Sequence, residues 1–170
     1  MRLCKALLLP WMGLGLVAFC RIDWTLKELE LVASRPQDSF HAFVAQLHAK
    51  RTAERAFGSN EEGDQSDAVR HYMWAGLMVK ELGAEKAKLF LSAHETQDHE
   101  STDSRRMDLQ NNEAGVRAAE RLKKRGALTR ESLELQALKD LLARKLTINE
   151  YRSGPYDYEN VGQGGRLRGS

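Results

Sequence analysis

From residue 26 to residue 142 apolar side chains recur at intervals of three and four, and over no stretch of any length do they alternate. That period belongs to helices packed through one face, and it excludes a fold built on sheets. Leu26, Leu29 and Val32, with Trp24 before them, mark a first short helix ending near Pro36. Phe40, Phe43, Val44 and Leu47 form an apolar stripe on a helix over about 38–56, which Gly58 stops. After a polar loop over 59–65, Ser66 or Asp67 caps a third helix that reaches Leu82 and ends at Gly83. A fourth helix over about 84–98 carries Ala87, Phe90, Leu91 and His94 on one face. Residues 97–106 read as the longest internal loop. A fifth helix follows over about 107–125, where Lys123, Lys124 and Arg125 suit the C-terminal dipole before Gly126. Thr129 caps a sixth, with Leu133, Leu135, Leu138, Leu141 and Leu142 as its buried side. The expected fold is all-α, a single compact domain of about five to six helices over 21–150, followed by a loosely ordered tail over 151–170.

The first twenty residues stand apart. Met1, Arg2 and Lys5 make a basic start, fifteen uncharged and mostly apolar residues follow over 6–20, and Arg21 closes the run. A short apolar core behind a basic start is the pattern of an export signal. Ala18 and Cys20 supply small residues for cleavage after Cys20. Val17-Ala18-Phe19-Cys20 also resembles a lipoprotein signal, in which Cys20 is lipidated and becomes the new N-terminus, although Phe19 stands where Gly, Ala or Ser is usual. An uncleaved anchor or a buried helix of the fold is the remaining reading. Residues 1–20 are therefore expected to be a signal peptide or lipoprotein signal. The protein would be exported, either periplasmic or membrane-anchored and facing the periplasm. Its only membrane contact would be this segment or a lipid on Cys20.

Both cysteines, Cys4 and Cys20, fall within that segment. The body from Arg21 onward therefore has no disulfide, cysteine nucleophile or thiolate ligand to offer. The chain has 26 Lys and Arg against 24 Asp and Glu, and losing Arg2 and Lys5 would make the two equal. That balance argues against a nucleic-acid partner, which would call for a basic face.

Three of the expected helices carry polar groups where a bland bundle would not. Asp67, Arg70, His71 and Trp74 fall at i, i+3, i+4 and i+7, all on one face of the third helix. Asp67, one turn before His71, could hold its ring and fix its tautomer. Trp74 is either a core anchor or a platform for substrate. Asp108, Asn111, Asn112 and Gly115 repeat the geometry on the fifth helix, where Gly115 would admit close approach by a backbone or a ligand. The fourth ends in His94-Glu95, with Asp98 and His99 one turn beyond. His41 and His48, beside the apolar stripe, read as packing or surface residues. Carboxylates, imidazoles and amides together are the groups of general acid/base work or of a divalent metal site. The H-E-x-x-H pattern of zinc proteases is not among them: His94 and His99 are five apart, which turns the second ring by about 140° on a regular helix.

Three ordered blocks carry a resemblance. Asp67-Ala68-Val69-Arg70-His71-Tyr72-Met73-Trp74, then His94-Glu95, then Met107-Asp108-Leu109-Gln110-Asn111-Asn112-Glu113-Ala114-Gly115, are similar to an uncharacterised bacterial helical domain family. Its pattern is D-A-x-R-H-x-x-W, H-E, M-D-x-x-N-N-x-x-G, and it stands behind export signals or in toxin-like multidomain proteins. The resemblance spans about residues 60–117. It implies a helical domain with a shared polar site, and names no reaction. The chain departs at Asn60-Glu61-Glu62-Gly63, where the family has an Asn-Gly-rich lead-in with a further His.

These readings lead to an exported hydrolase of the bacterial cell envelope. His71, oriented by Asp67, and Glu95 would be its acid/base pair. Arg70, Trp74, Asn111 and Asn112 would meet substrate, peptidoglycan or phospholipid by compartment. A divalent metal ion, if one is used, would draw on His94 and Asp108 with His71 and Glu95. With no cysteine, Gly-flanked serine or phosphate loop in the body, covalent and nucleotide mechanisms have no support. The alternative is a non-enzymatic envelope structural or interaction protein whose polar residues form a hydrogen-bond network pinning the helices. A third reading, an interaction module using Tyr151, Tyr156 and Tyr158, rests on composition alone.

Overall fold

The computed structural model describes residues 25–58, 61–95 and 101–150. The signal segment, Asp98, His99 and the tail lie outside the described residues. Among the described residues the chain forms six helices and no strand: α1 (Leu26–Ser34), α2 (Pro36–Phe57), α3 (Gln65–Leu82), α4 (Ala84–His94), α5 (Thr102–Lys124) and α6 (Arg130–Leu142). None of them is long and apolar enough to cross a membrane.

The architecture follows from α3, which is buried around nearly its whole circumference. Ala68, Val69, Tyr72, Met73, Ala75, Leu77, Met78 and Val79 are all buried, and a helix of that kind must be surrounded. α2, α4, α5 and α6 pack around it. Any polar group on α3 therefore loses its water, which is the condition its Asp67 and His71 meet.

Two contacts set how closely the neighbours come. α2 presents Ala42, Ala45, Ala49 and Ala53 inward, and the indole Nε1 of Trp74 donates to the Ala42 carbonyl at 3.1 Å. The larger stripe expected on this helix is not the core face, since Phe40 and Leu47 are exposed. Small side chains win the inner face because they let the two helices approach. On the other side of α3, Gly115 of α5 lies against the Tyr72 backbone so closely that a Cβ there would stand 2.1 Å from the Tyr72 carbonyl oxygen.

The helix ends differ from expectation in three places. Asp64, not Ser66 or Asp67, caps α3: its carboxylate accepts from the Ser66 and Asp67 amides at 2.8 and 3.1 Å and from the Ser66 hydroxyl at 2.6 Å. That frees the Asp67 carboxylate for other work. α4 stops at His94, about a turn early, and α5 starts at Thr102 on a Ser101 cap, before the expected position 107. On α6, Leu135 and Leu142 face solvent, while Ala137 and Asp140 are buried beside Leu133, Leu138 and Leu141.

Beyond α6 the chain returns to the start of α3. The Asn149 and Glu150 amides donate to the Gly63 carbonyl at 3.1 and 3.0 Å. The Thr147 amide and carbonyl pair with the Asn111 side chain at 3.0 and 2.8 Å.

Candidate functional site

At the first turn of α3 the Asp67 carboxylate accepts from the Gly63 amide at 2.7 Å. It also ion-pairs with Arg70, whose side chain is partly exposed. One turn on, His71 Nε2 lies 3.2 Å from Asp67 Oδ1 and 3.4 Å from Asp108 Oδ1. Asp108 belongs to α5, and the close crossing at Gly115, two turns further along that helix, is what brings it within reach. Asp67, His71 and Asp108 are 3%, 5% and 4% exposed, and one donor atom from each lies within 4.8 Å of the other two. These three residues are the set in the described fold that could hold a metal ion.

Electrostatics follow from the burial. Desolvation alone would raise the Asp67 pKa; the hydrogen bond from His71, the charges of His71 and Arg70, and the Gly63 amide together hold it below the ordinary value. Burial likewise works against a charged His71, yet the Asp67 hydrogen bond and the Asp108 and Asp67 carboxylates outweigh it and raise its pKa. The other ring nitrogen, Nδ1, has no hydrogen-bond partner among the described residues.

Glu95, at the end of α4 and 2% exposed, accepts from Asn112 Nδ2 at 2.8 Å. Asn112 stands one turn beyond Asp108, so α5 carries both groups along one strip. The structure thus gathers six of the expected residues: Asp67, Arg70, His71 and Asp108 around one point, and Glu95 bonded to Asn112 one turn along α5. Asn111 is turned away and spends its amide on Thr147. Trp74 is held in the core through Ala42.

His94 lies beside the cluster, its ring centroid 6.5 Å from that of His71, but its Nδ1 is engaged elsewhere. Its Nδ1 donates to Glu28 Oε1 at 2.8 Å, and its ring meets the Trp74 ring edge-on with centroids 4.8 Å apart. Glu28 of α1 was not among the expected residues. Thr25 and Glu28 form a T-x-x-E capping box that is readable in the sequence, but nothing local says that His94 is its distant partner. A cavity of about 20 Å³ lies on this side, lined by Glu28, Ser39, Ala42, Trp74 and Phe90 among others, with room for little more than a water molecule.

The Glu28 pair makes a pH prediction. Burial pushes the Glu28 carboxyl up, but hydrogen bonds from His94 and Thr25 and the charge of His94 outweigh it, leaving the pKa below its usual 4.5. A carboxyl with a depressed folded pKa stabilises fully above the unfolded value, and that contribution is lost as pH falls through the folded one. The Tm of the protein should therefore decline below about pH 4.5. Glu28→Gln should cost about 1–2 kcal/mol at pH 7 and flatten that decline. Equal pH slopes in both proteins would refute it.

A family model described as a domain of unknown function, DUF6973, matches residues 29–146. The chain belongs to this family. The DUF6973 region contains Asp67, His71, Glu95, Asp108 and Asn112, whereas Glu28 falls immediately before it. No curated protein and no solved structure matches the chain.

Proposed function

We propose that this DUF6973 protein is an exported bacterial hydrolase of the cell envelope, of the toxin-associated kind its three motif blocks suggest. The observation that carries the reading is the convergence of Asp67, His71 and Asp108 at one dry point, with Glu95 and Asn112 alongside. Burying this many ionisable groups costs stability, and apolar residues would hold the same helices together more cheaply. Such an arrangement is what a hydrolytic centre needs. Glu95 takes a proton from water, the water oxygen bonds to the carbonyl carbon or phosphorus, and the bond to the leaving group breaks as Glu95 returns the proton. Arg70, at the edge of the cluster, is the group placed to meet a substrate anion. The basic and apolar segment over 1–20, ending in Cys20, supports export by cleavage or lipidation, and with it peptidoglycan or phospholipid as substrate.

A second reading has an observation in its favour. The Glu95–Asn112, Asn111–Thr147 and Tyr72–Asp140 hydrogen bonds each join separate elements, as a structural envelope protein would require. One experiment separates the two. The full chain is incubated with purified peptidoglycan and with phospholipid vesicles, beside Glu95→Gln. Soluble fragments or free fatty acid that vanish in Glu95→Gln, with an unchanged or higher Tm, would support the hydrolase. No product from either substrate, with about 1–3 kcal/mol lost in the variant, would overturn it in favour of the pinning network.

A further inference from the structure

We propose that Asp67, His71 and Asp108 bind one divalent first-row transition-metal ion, through two carboxylate oxygens and His71 Nε2, leaving its remaining positions to water or substrate. This differs from the ligands the sequence suggests: Asp67 enters, and His94 and Glu95 leave. It deepens the hydrolase reading, because an ion so held would polarise water beside Glu95, but the site stands on its own geometry.

The spacing is the first argument. Charge-assisted N–H···O bonds run at about 2.7–2.9 Å; His71 Nε2 makes a long hydrogen bond to Asp67 at 3.2 Å and stands 3.4 Å from Asp108. Ligand atoms bonded at about 2.1 Å to a common ion are spaced by about 3.0 Å in an octahedron and 3.4 Å in a tetrahedron. Both distances from His71 match that spacing, and all three donors lie within 4.8 Å of one another.

The second argument is the charge. Two helices bring two buried carboxylates, Asp67 and Asp108, onto a single imidazole. A dication satisfies both carboxylates at once. The third is an unpartnered group beside the cluster: Asn112 Oδ1, on a residue 3% exposed, accepts no hydrogen bond among the described residues. It lies one turn along α5 from Asp108, where it can accept from an ion-bound water.

The donor set chooses the ion. One nitrogen and two oxygens without sulfur suit Zn²⁺ or Mn²⁺, and Zn²⁺ binds the tighter of the two by the general order for divalent ions. Ca²⁺ needs six to eight oxygens, and Mg²⁺ keeps its own water. Among the described residues His71 Nδ1 has no outer carboxylate or carbonyl of the kind that usually orients a ligating imidazole, so affinity should fall about 10- to 100-fold below that of a fully supported site.

The test is calorimetric titration of the chelator-treated full chain with Zn²⁺ and, separately, Mn²⁺, with Mg²⁺ and Ca²⁺ as controls. One ion per chain is expected, with a rise in Tm. Asp108→Asn, which keeps the side-chain shape, should weaken binding at least 100-fold, and His41→Gln and His48→Gln should leave it unchanged. X-ray absorption of the Zn²⁺-loaded wild type needs no variant and should show a single imidazole among oxygen donors. No binding, unimpaired binding by Asp108→Asn, or two or more imidazoles on the ion would overturn the site. Ion binding without hydrolysis would defeat only the hydrolase reading. Hydrolysis indifferent to chelator would defeat only the metal.

Discussion

Gly115→Ala is expected to be the most damaging small substitution in the domain, at about 3–5 kcal/mol. In a helix interior the change should by itself favour folding by about 1 kcal/mol. Here the new Cβ would stand 2.1 Å from the Tyr72 carbonyl oxygen, 2.9 Å from its carbon and 3.0 Å from the Tyr72 Cα. All three atoms are backbone, so no side chain can swing aside, and α3 cannot retreat because α2, α4 and α6 pack around its other sides. The helices must part, and overpacking of this severity exceeds the propensity gain several-fold. Gly76 gives the contrast: the three atoms nearest its Cβ would all belong to the Leu133 side chain, which can shift where a backbone cannot, so Gly76→Ala should cost less. Urea denaturation measures both. A Gly115→Ala loss below about 1 kcal/mol would contradict the close crossing, and with it the device that places Asp108 beside His71.

The second large effect lies away from the candidate site. Asp140 of α6 accepts from the Tyr72 hydroxyl at 2.9 Å, Gln136 Nε2 at 3.1 Å and Lys145 Nζ at 3.4 Å. Tyr72 is fully buried, and burial together with the Asp140 carboxylate pushes its phenol pKa well above the ordinary 10. Asp140→Ala strands that hydroxyl without an acceptor and leaves a void, for an expected loss of about 2–4 kcal/mol. Tyr72→Phe should cost only about 1 kcal/mol, because Gln136 and Lys145 still satisfy the carboxylate. The double variant should then be less unstable than the two losses added together. Strict additivity would show that the pair is not coupled.

What could be read from the sequence divides along physical lines. The helical class was legible because glycines stop three of the periodic runs and no stretch alternates. Asp67 and His71 were legible together because a spacing of four is a contact on any helix. The inner face of α2 was not: Phe40 and Leu47 dominate a count of apolar residues, while the crossing with α3 selects alanines for size. The first turn of α5 was missed because it is solvated and carries no apolar side chain to mark it. Asn111 and Asn112 are neighbours in sequence but point about 100° apart around the helix, and spacing alone could not tell which one faces Glu95. Glu28 was out of reach because its partner His94 is 66 positions away.

The return of residues 147–150 to Gly63 bears on the order in which the site can come into being. Gly63 is gripped from both sides, its amide by Asp67 and its carbonyl by Asn149 and Glu150. Asp67 is thus oriented partly by a stretch synthesised some eighty residues after it. A nascent chain could form α3 and α5 and bring Asp108 near His71, yet the loop ahead of α3 would lack its clasp until residue 150 had emerged. Closure of that long loop carries an entropy cost that only the finished fold recovers. The clasp on Gly63 is therefore the last part of the centre's surround that synthesis can supply.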